Sequence, residues 1–547
     1  MIKRLFNNNF INSQPSRSVL SAAFVITLAG LASRFLGLIR DRLLASSFGA
    51  GDTLDAYYAA FRIPDLIYNL LILGALSAAL IPVFTALISK DQKEEAWDLI
   101  NGVMNILFFS IIALSIFLFI FAPFIMHWLT PGFSPEKMAE AVLFTRIMFL
   151  SPIFLGISGI FGGILTSFRR FLIYSIAPVF YNVGIIIGVL FLTKFLGTIG
   201  LAWGVVLGAF FHMMIQYPAA KRLGFHHSWM FWKAWQNKQV RKVFRLMLPR
   251  TLGIAVSQIN LLVITVFAST LAPGSLAVFT FAQNLQGVPL GLFGASFAIA
   301  VFPLLSALAA KEEKAEFIKT FSVTLRQISF FVIPLSAFIF VLRAQIVRVV
   351  LGSGKFDWED TVLTFECLGI FAFSLFAQSA IPLLTRTFFS FHDTKTPFYI
   401  ALVSEAINIS LVIILIGKMA VVGLALAFSI GSTIQALILF FVLRKKYAVK
   451  DDRNILYSLI KIFSASLLAA VAIQISKNLT DNLVDIDTFV GIFTQLAVSA
   501  TAGMAIFSLI CYLLKLEEFF NFKNSLTRRI FKDRQVIAED TTDVSGI

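Results

Sequence analysis

Long apolar runs separated by short polar connections recur from one end of the chain to the other. A bilayer core of roughly 30 Å needs about 20 apolar residues at helical rise. That window predicts helices over 19–46, 55–88, 95–128, 138–167, 174–194, 198–220, 243–271, 275–309, 316–342, 361–390, 397–417, 420–443, 455–476 and 489–514. The pattern reads as an all-α polytopic membrane protein with about 14 transmembrane helices. Several runs exceed the bilayer thickness, so tilt or kinks are expected, with Pro64, Pro82, Pro152, Pro289, Pro303 and Pro382 as the points where a backbone hydrogen bond is lost.

Composition narrows the class. Of 547 residues, 58% are hydrophobic and only 14% are charged, which excludes a water-soluble globule. The formal charge of +15 would suit nucleic acid in a soluble chain. Here Lys and Arg concentrate in short connections, where topology and anionic lipid account for them, and no nucleic-acid partner is expected. Cys367 and Cys511 both fall in apolar runs and build neither a disulfide framework nor a metal set. The start, MIKRLFNNNFINSQPSRS, has no short apolar core followed by a small-residue cleavage site, so the first span is expected to be retained.

Basic residues fall in alternate loops: Lys90 and Lys93, Arg169 and Arg170, the 221–242 stretch, Lys311 and Lys314, then Arg444, Lys445, Lys446 and Lys450. Those loops are expected in the cytoplasm, which also places both termini there. The 343–358 connection, with Arg343, Arg348 and Lys355, is an exception and is expected to belong to a structured outer loop.

A shift of about 223 residues superposes Ala45-Ser46 on Ala268-Ser269, Ser167-Phe168 on Ser390-Phe391, and Gly200-Leu201-Ala202 on Gly423-Leu424-Ala425; near the same shift Pro82 falls on Pro303. Matches in order along six spans argue for duplication, with two parallel six-helix lobes around a central cavity. The expected segments are a cytoplasmic N-terminal stretch 1–18, an N-lobe 19–220, an interfacial linker 221–242, a C-lobe 243–447, two further helices in 453–514 and a basic, surface-lying tail 515–547. The His226-His227 pair in the linker carries little weight as a metal site.

Charge inside the first span is the strongest functional signal. Arg34, Arg40 and Asp41 interrupt an apolar run, and intramembrane charge normally faces a bundle interior or watery path. Arg34 lies far from either end of its span. Arg34, Leu38 and Asp41 share one helical stripe, as do Asp55 and Arg62 on the second span, so the two helices could present a charged wall.

The run Ser33-Arg34 to Gly37, Arg40-Asp41, Phe48-Gly49-Ala50-Gly51, Asp55-Ala56, Phe61, Pro64 and Gly74-Ala75 resembles the opening of the MviN/MurJ family. Pro131-Gly132-Phe133, Ser257-Gln258-Ile259, Phe267-Ala268-Ser269, Pro289 with Gly294, Gly354-Lys355-Phe356 and Asp393-Thr394-Lys395-Thr396-Pro397 are similar to that family in order and spacing. The resemblance covers nearly the whole chain. It implies a lipid II flippase of the multidrug/oligosaccharidyl-lipid/polysaccharide exporter superfamily in a bacterial cytoplasmic membrane, with a lipid-linked disaccharide-peptide as substrate and membrane lipids as surroundings.

On that resemblance Arg34 and Arg40 are the leading diphosphate ligands, because a guanidinium stays charged and binds phosphate oxygens through paired hydrogen bonds. Where the family carries other cavity arginines this chain has Tyr68 and Asn284, and where it often carries Glu there is Leu73. Tyr68, Gln283 and Asn284 remain able to hydrogen-bond sugar or peptide. Asn260, Glu405 and Asn408 are oxygen donors for a coupling cation, Na+ or H+, with membrane potential as the other driving force; no other cofactor or metal is expected.

Two other readings stay open: an exporter of another lipid-linked glycan or a drug/cation antiporter of the same superfamily, and a membrane enzyme acting on polyprenyl-phosphate sugars. The apolar runs contain no His-Glu-x-x-His, no Gly-x-Ser-x-Gly and no phosphate-cradling Gly-rich loop, so a non-enzyme is expected.

Overall fold

A computed structural model describes residues 19–73, 76–229, 231–524 and 527; the expected N-terminal stretch 1–18 and residues 528–547 of the tail lie outside the described residues. Among the described residues there are helices and no strands. In chain order the main ones are α1 Val19–Phe48, α2 Asp52–Tyr68, α3 Leu76–Ser89, α4 Lys93–Leu129, α5 Pro135–Met148, α6 Ser151–Ser167, α7 Phe171–Ile187, α8 Ile199–Met214 and α9 Lys238–Ser269. They continue as α10 Ser275–Pro289, α11 Ser296–Ala310, α12 Lys314–Val350, α13 Trp358–Ser390, α14 Lys395–Tyr447, α15 Asp452–Asp481 and α16 Phe489–Leu513.

Ten continuous helical stretches among the described residues are long and apolar enough to cross a membrane. The protein is therefore a multi-pass membrane protein. The stretch Lys395–Tyr447 is two helices meeting at Ala420, whose φ of 47° and ψ of −130° break the helix between the predicted spans 397–417 and 420–443. Wider turns break others: π-helical segments occupy Asn69–Leu73, Gly188–Leu192 and Leu290–Ala295. The last begins immediately after Pro289, one of the expected kink points.

These irregularities recur at the spacing of the sequence repeat. The π segments begin at Asn69 and Leu290, 221 residues apart. Left-handed backbone occurs at Asp91 and Glu312, at Arg169 and His392, and, with extended ψ, at Gly197 and Ala420. Each of these residues lies at a connection between helices. Both halves of the sequence thus bend at matching places.

The chain divides into two compact units. The first comprises residues up to Phe281 with Val350–Thr361 and Val412–Leu424; the second comprises Ala282–Val349, Val362–Leu411 and the remainder from Ala425. In the first unit α7 and α8 cross at backbone distance, because a Cβ on Gly184 would meet the backbone of Gly208 and one on Gly188 the backbone of Gly204. Helix α9, counted with the second lobe from sequence, packs in the first unit: Gln258 Oε1 accepts from Asn69 at 3.4 Å and Thr265 Oγ1 from Arg62 at 2.7 Å. The linker is strapped to α4, where Asn101 Nδ2 donates to the His226 carbonyl and Asn105 Nδ2 to that of Ser228, at 3.0 and 2.7 Å. His227 Nε2 lies 3.1 Å from Asn105 Oδ1, which gives that histidine a structural partner.

The basic 343–358 exception also gains a structure. Lys355 N donates to the Ser46 carbonyl at 2.9 Å, and Phe356 buries its ring against Phe281. Asp360 Oδ2 accepts from Ala50 N at 2.8 Å, which ties the end of this connection to the turn after α1. In the second unit a buried aliphatic and aromatic core from α11, α12, α13 and α14 includes Leu305, Phe321, Leu383 and Leu439.

Candidate functional site

Helix α1 carries its charges into the first unit. Arg40 Nε and Nη2 both donate to Asp41 Oδ1, at 3.0 and 2.8 Å, and Arg40 Nη1 donates to Asn182 Oδ1 at 3.1 Å. Asn182 is buried on α7, and its amide donates to the Ser33 carbonyl at 3.2 Å, next to Arg34. One side chain thus fixes both the cation and the backbone of the helix that bears it. Asp41, expected on a stripe with Arg34, takes its guanidinium partner from the adjacent Arg40. Arg34 itself is half-buried.

Asp55 and Arg62 on α2, expected to contribute to a charged wall shared with α1, each meet separate partners. Asp55 is buried to 1% exposure. Its Oδ2 accepts from Lys137 Nζ at 2.8 Å and Gly274 N at 2.7 Å, and Oδ1 accepts from Ala277 N at 2.9 Å. The reason is positional: Asp55 lies in the first turn of α2 and meets the unpaired amides at the start of α10, a favourable place for a carboxylate. Gly274, at φ 88°, lets the chain pass there, since a Cβ on it would strike the Ala50 carbonyl. Lys137 also reaches Asp52 Oδ1 at 2.8 Å.

Arg62 is held differently. Its Nε donates to Thr265, while Nη2 is buried without a hydrogen-bond partner among the described residues. Asp65 interacts electrostatically with both Arg62 and Arg40, and Tyr68 with Asp65 and Tyr174. The first unit therefore gathers Arg40, Asp41, Arg62, Asp65 and Tyr68, with Tyr57, Tyr58 and Tyr181 around the charges. Guanidinium groups with tyrosine hydroxyls suit an anionic, hydroxyl-rich ligand.

Gln283 and Asn284 are half-buried and belong to the second unit. So do Glu405 and Asn408, where Asn408 Nδ2 donates to Glu405 Oε1 at 3.3 Å and Asn408 Oδ1 is buried without a hydrogen-bond partner among the described residues. Asn260 belongs to the first unit. No group of three or more His, Cys, Asp or Glu side chains able to hold a metal occurs among the described residues. The sequence reading missed Lys137 and Asn182. The visible signals were a lysine just after Pro131-Gly132-Phe133 and an asparagine within an apolar run.

Residues 44–507 match the family model described as "Lipid II flippase MurJ". The chain belongs to the MurJ family. A lipid II flippase MurJ of Burkholderia cenocepacia is 27% identical over 82% of this chain and 88% of its own. A probable lipid II flippase MurJ of Vibrio cholerae is 30% identical over 78% and 83%. A solved lipid II flippase MurJ in an inward closed conformation superposes with TM-score 0.74 at 26% identity, covering 90% of this chain and 99% of that one. An inward-facing MATE transporter of the MOP superfamily shares the fold, with TM-score 0.64 at 16% identity over 79% and 99%. MurJ membership makes this a membrane transporter and not an enzyme.

Proposed function

We propose that the protein moves lipid II from the cytoplasmic to the outer leaflet by alternating access. The match to the MurJ model over residues 44–507 carries this reading. In this reading the ten stretches become fourteen spans, with α1, α2 together with α3, and α9 added and Lys395–Tyr447 taken as two. They form two six-helix lobes, 19–220 and 243–447, joined by 221–242 and followed by the helices of 453–514; the recurrence of bends near 221–223 residues supports this arrangement. Both termini are cytoplasmic, on the distribution of basic loops in a bacterial inner membrane.

In this reading Arg34 and Arg40 receive the diphosphate, Asp41 and Asn182 aim Arg40, and Arg62 and Tyr68 meet sugar or peptide. Gln283 and Asn284 are further hydrogen-bonding groups for sugar or peptide, and the polyprenyl tail stays in lipid. Glu405 and Asn408, with Asn260, bind a coupling cation, Na+ or H+, or else membrane potential drives the cycle. Tyr68 and Asn284, standing where the family carries arginines, favour a second reading in which the cargo is another lipid-linked glycan.

Complementation tests the proposal. In a bacterium depleted of its own lipid II flippase, the wild-type chain should restore growth, and Arg34→Ala at equal membrane abundance should not. Failure of a well-expressed wild type rejects lipid II as cargo, and rescue by both removes the role given to Arg34.

A further inference from the structure

The first unit contains a cavity of about 250 Å3 between the end of α3 and the first turns of α9. Lys90 and Lys242 stand on its rim, with Gln92 and Gln239 beside them and Ala86 and Leu246 among its apolar lining. Both lysines are exposed, and neither makes an ion pair among the described residues. The nearby Asp91 is engaged by Lys93 at 3.1 Å.

The second half of the chain provides an internal control. At a shift of 221 the loop Lys90-Asp91-Gln92-Lys93 falls on Lys311-Glu312-Glu313-Lys314. There Lys311 Nζ lies 3.9 Å from Glu313 Oε1. Gln92 occupies the place of that glutamate, so the same backbone turn, marked by left-handed Asp91 and Glu312, leaves Lys90 without its counter-charge. A cavity lined by two ammonium groups without an ion pair among the described residues and by apolar side chains, including the exposed Ala86 and Leu246, matches a ligand that is anionic at one end and apolar at the other.

We infer that this cavity binds an anionic phospholipid, its phosphate between Lys90 and Lys242 and its glycerol and upper acyl chain on Ala86 and Leu246. Gln92 and Gln239 are amide donors for the remaining oxygens. From the attraction of an ammonium to an anionic lipid surface, loss of both lysines corresponds to roughly thirtyfold weaker retention. The site is separate from the transport charges of α1 and α2 and does not depend on which lipid-linked glycan is moved.

The test is native mass spectrometry of the purified full chain released from vesicles of phosphatidylglycerol and phosphatidylcholine, with three variants. K90Q/K242Q removes the charge, A86W fills the floor while keeping the charge, and K445Q/K450Q lowers the charge of another basic segment. The wild type and K445Q/K450Q should each retain one more phosphatidylglycerol than K90Q/K242Q and A86W, with phosphatidylcholine unaffected and millimolar inorganic phosphate unable to displace it. Equal retention in all four proteins overturns the site, as does loss in K445Q/K450Q, which indicates general surface charge. Retention by A86W shows that the cavity is not used. Displacement by inorganic phosphate shows a free-anion site and overturns the lipid assignment.

Discussion

Asp55→Ala is the most informative single perturbation of stability. The carboxylate accepts three hydrogen bonds, all from groups in the protein, and its principal counter-charge, Lys137, has a side chain only 8% exposed. Removing one partner of a buried pair costs about 3–5 kcal/mol, because the other charge is left without compensation. Here Asp52, 59% exposed, still holds Lys137 at 2.8 Å, so the lower end of that range, about 3 kcal/mol, is expected. Asp55→Asn keeps an acceptor for one of the two amides and should cost less. Lys137→Met removes the cation and leaves the carboxylate on two amides. The double variant D55A/K137M should be less destabilised than the sum of the singles, by at least about 1 kcal/mol, as contacting residues couple. Cys367 and Cys511 are both buried and free, so a thiol-reactive fluorogenic dye reports unfolding in a graded series of sodium dodecyl sulfate without further engineering. Strict additivity of the two substitutions, or a loss below about 1 kcal/mol for Asp55→Ala, refutes the claim that this pair fastens the starts of α2, α5 and α10.

Other outcomes are equally specific. Asn182→Ala should reduce rescue in the complementation assay while leaving most membrane abundance intact, since it frees Arg40 Nη1 and the Ser33 carbonyl; rescue equal to wild type counts against a positioning role. Ala420→Gly should stabilise the protein by about 1 kcal/mol in the dye assay, because glycine alone adopts that backbone without strain, as Gly197 does at the matching place. Burial of Asp393 acts to raise its pKa, but hydrogen bonds from Lys446, Thr396 and Tyr447 outweigh it and bring the carboxyl down to about 2. Its unfolded value is near 3.9, so its contribution is complete above about pH 4 and disappears as pH falls through about 2. The destabilisation caused by Asp393→Asn should accordingly be constant from pH 5 to 8, and a slope in that range contradicts the assignment.

Much of the architecture was legible because membrane spans announce themselves by length and apolarity. The runs at 95–128 and 489–514 match α4 and α16 within a few residues. The charges on α1 were legible for the same reason: Arg40 is conspicuous in an apolar run, whatever it touches. Its partners were not. Helical spacing offered Arg34 to Asp41, but the neighbouring Arg40 bends its guanidinium back onto that carboxylate, a geometry that stripe arguments overlook. Asp55 was read as part of a cavity wall because its i+7 relation to Arg62 was visible, whereas the lysine that neutralises it lies 82 residues away and the amides it caps about 220 away. Local periodicity has no means of registering either.

The hydrogen bond from Arg40 to Asn182 joins residues 142 apart in the chain, which bears on how the protein is made. At roughly 5–20 residues per second, α1 leaves the ribosome some 7–30 seconds before α7 can supply its partner. During that interval Arg40 has Asp41 and, once α2 is made, Asp65 to offset its charge, but not the amide of Asn182, and an incompletely compensated arginine in hydrocarbon is costly. The first helix is therefore expected to wait beside the insertion machinery, or to sit shallow at the membrane surface, until the later helices arrive and draw it to its final depth.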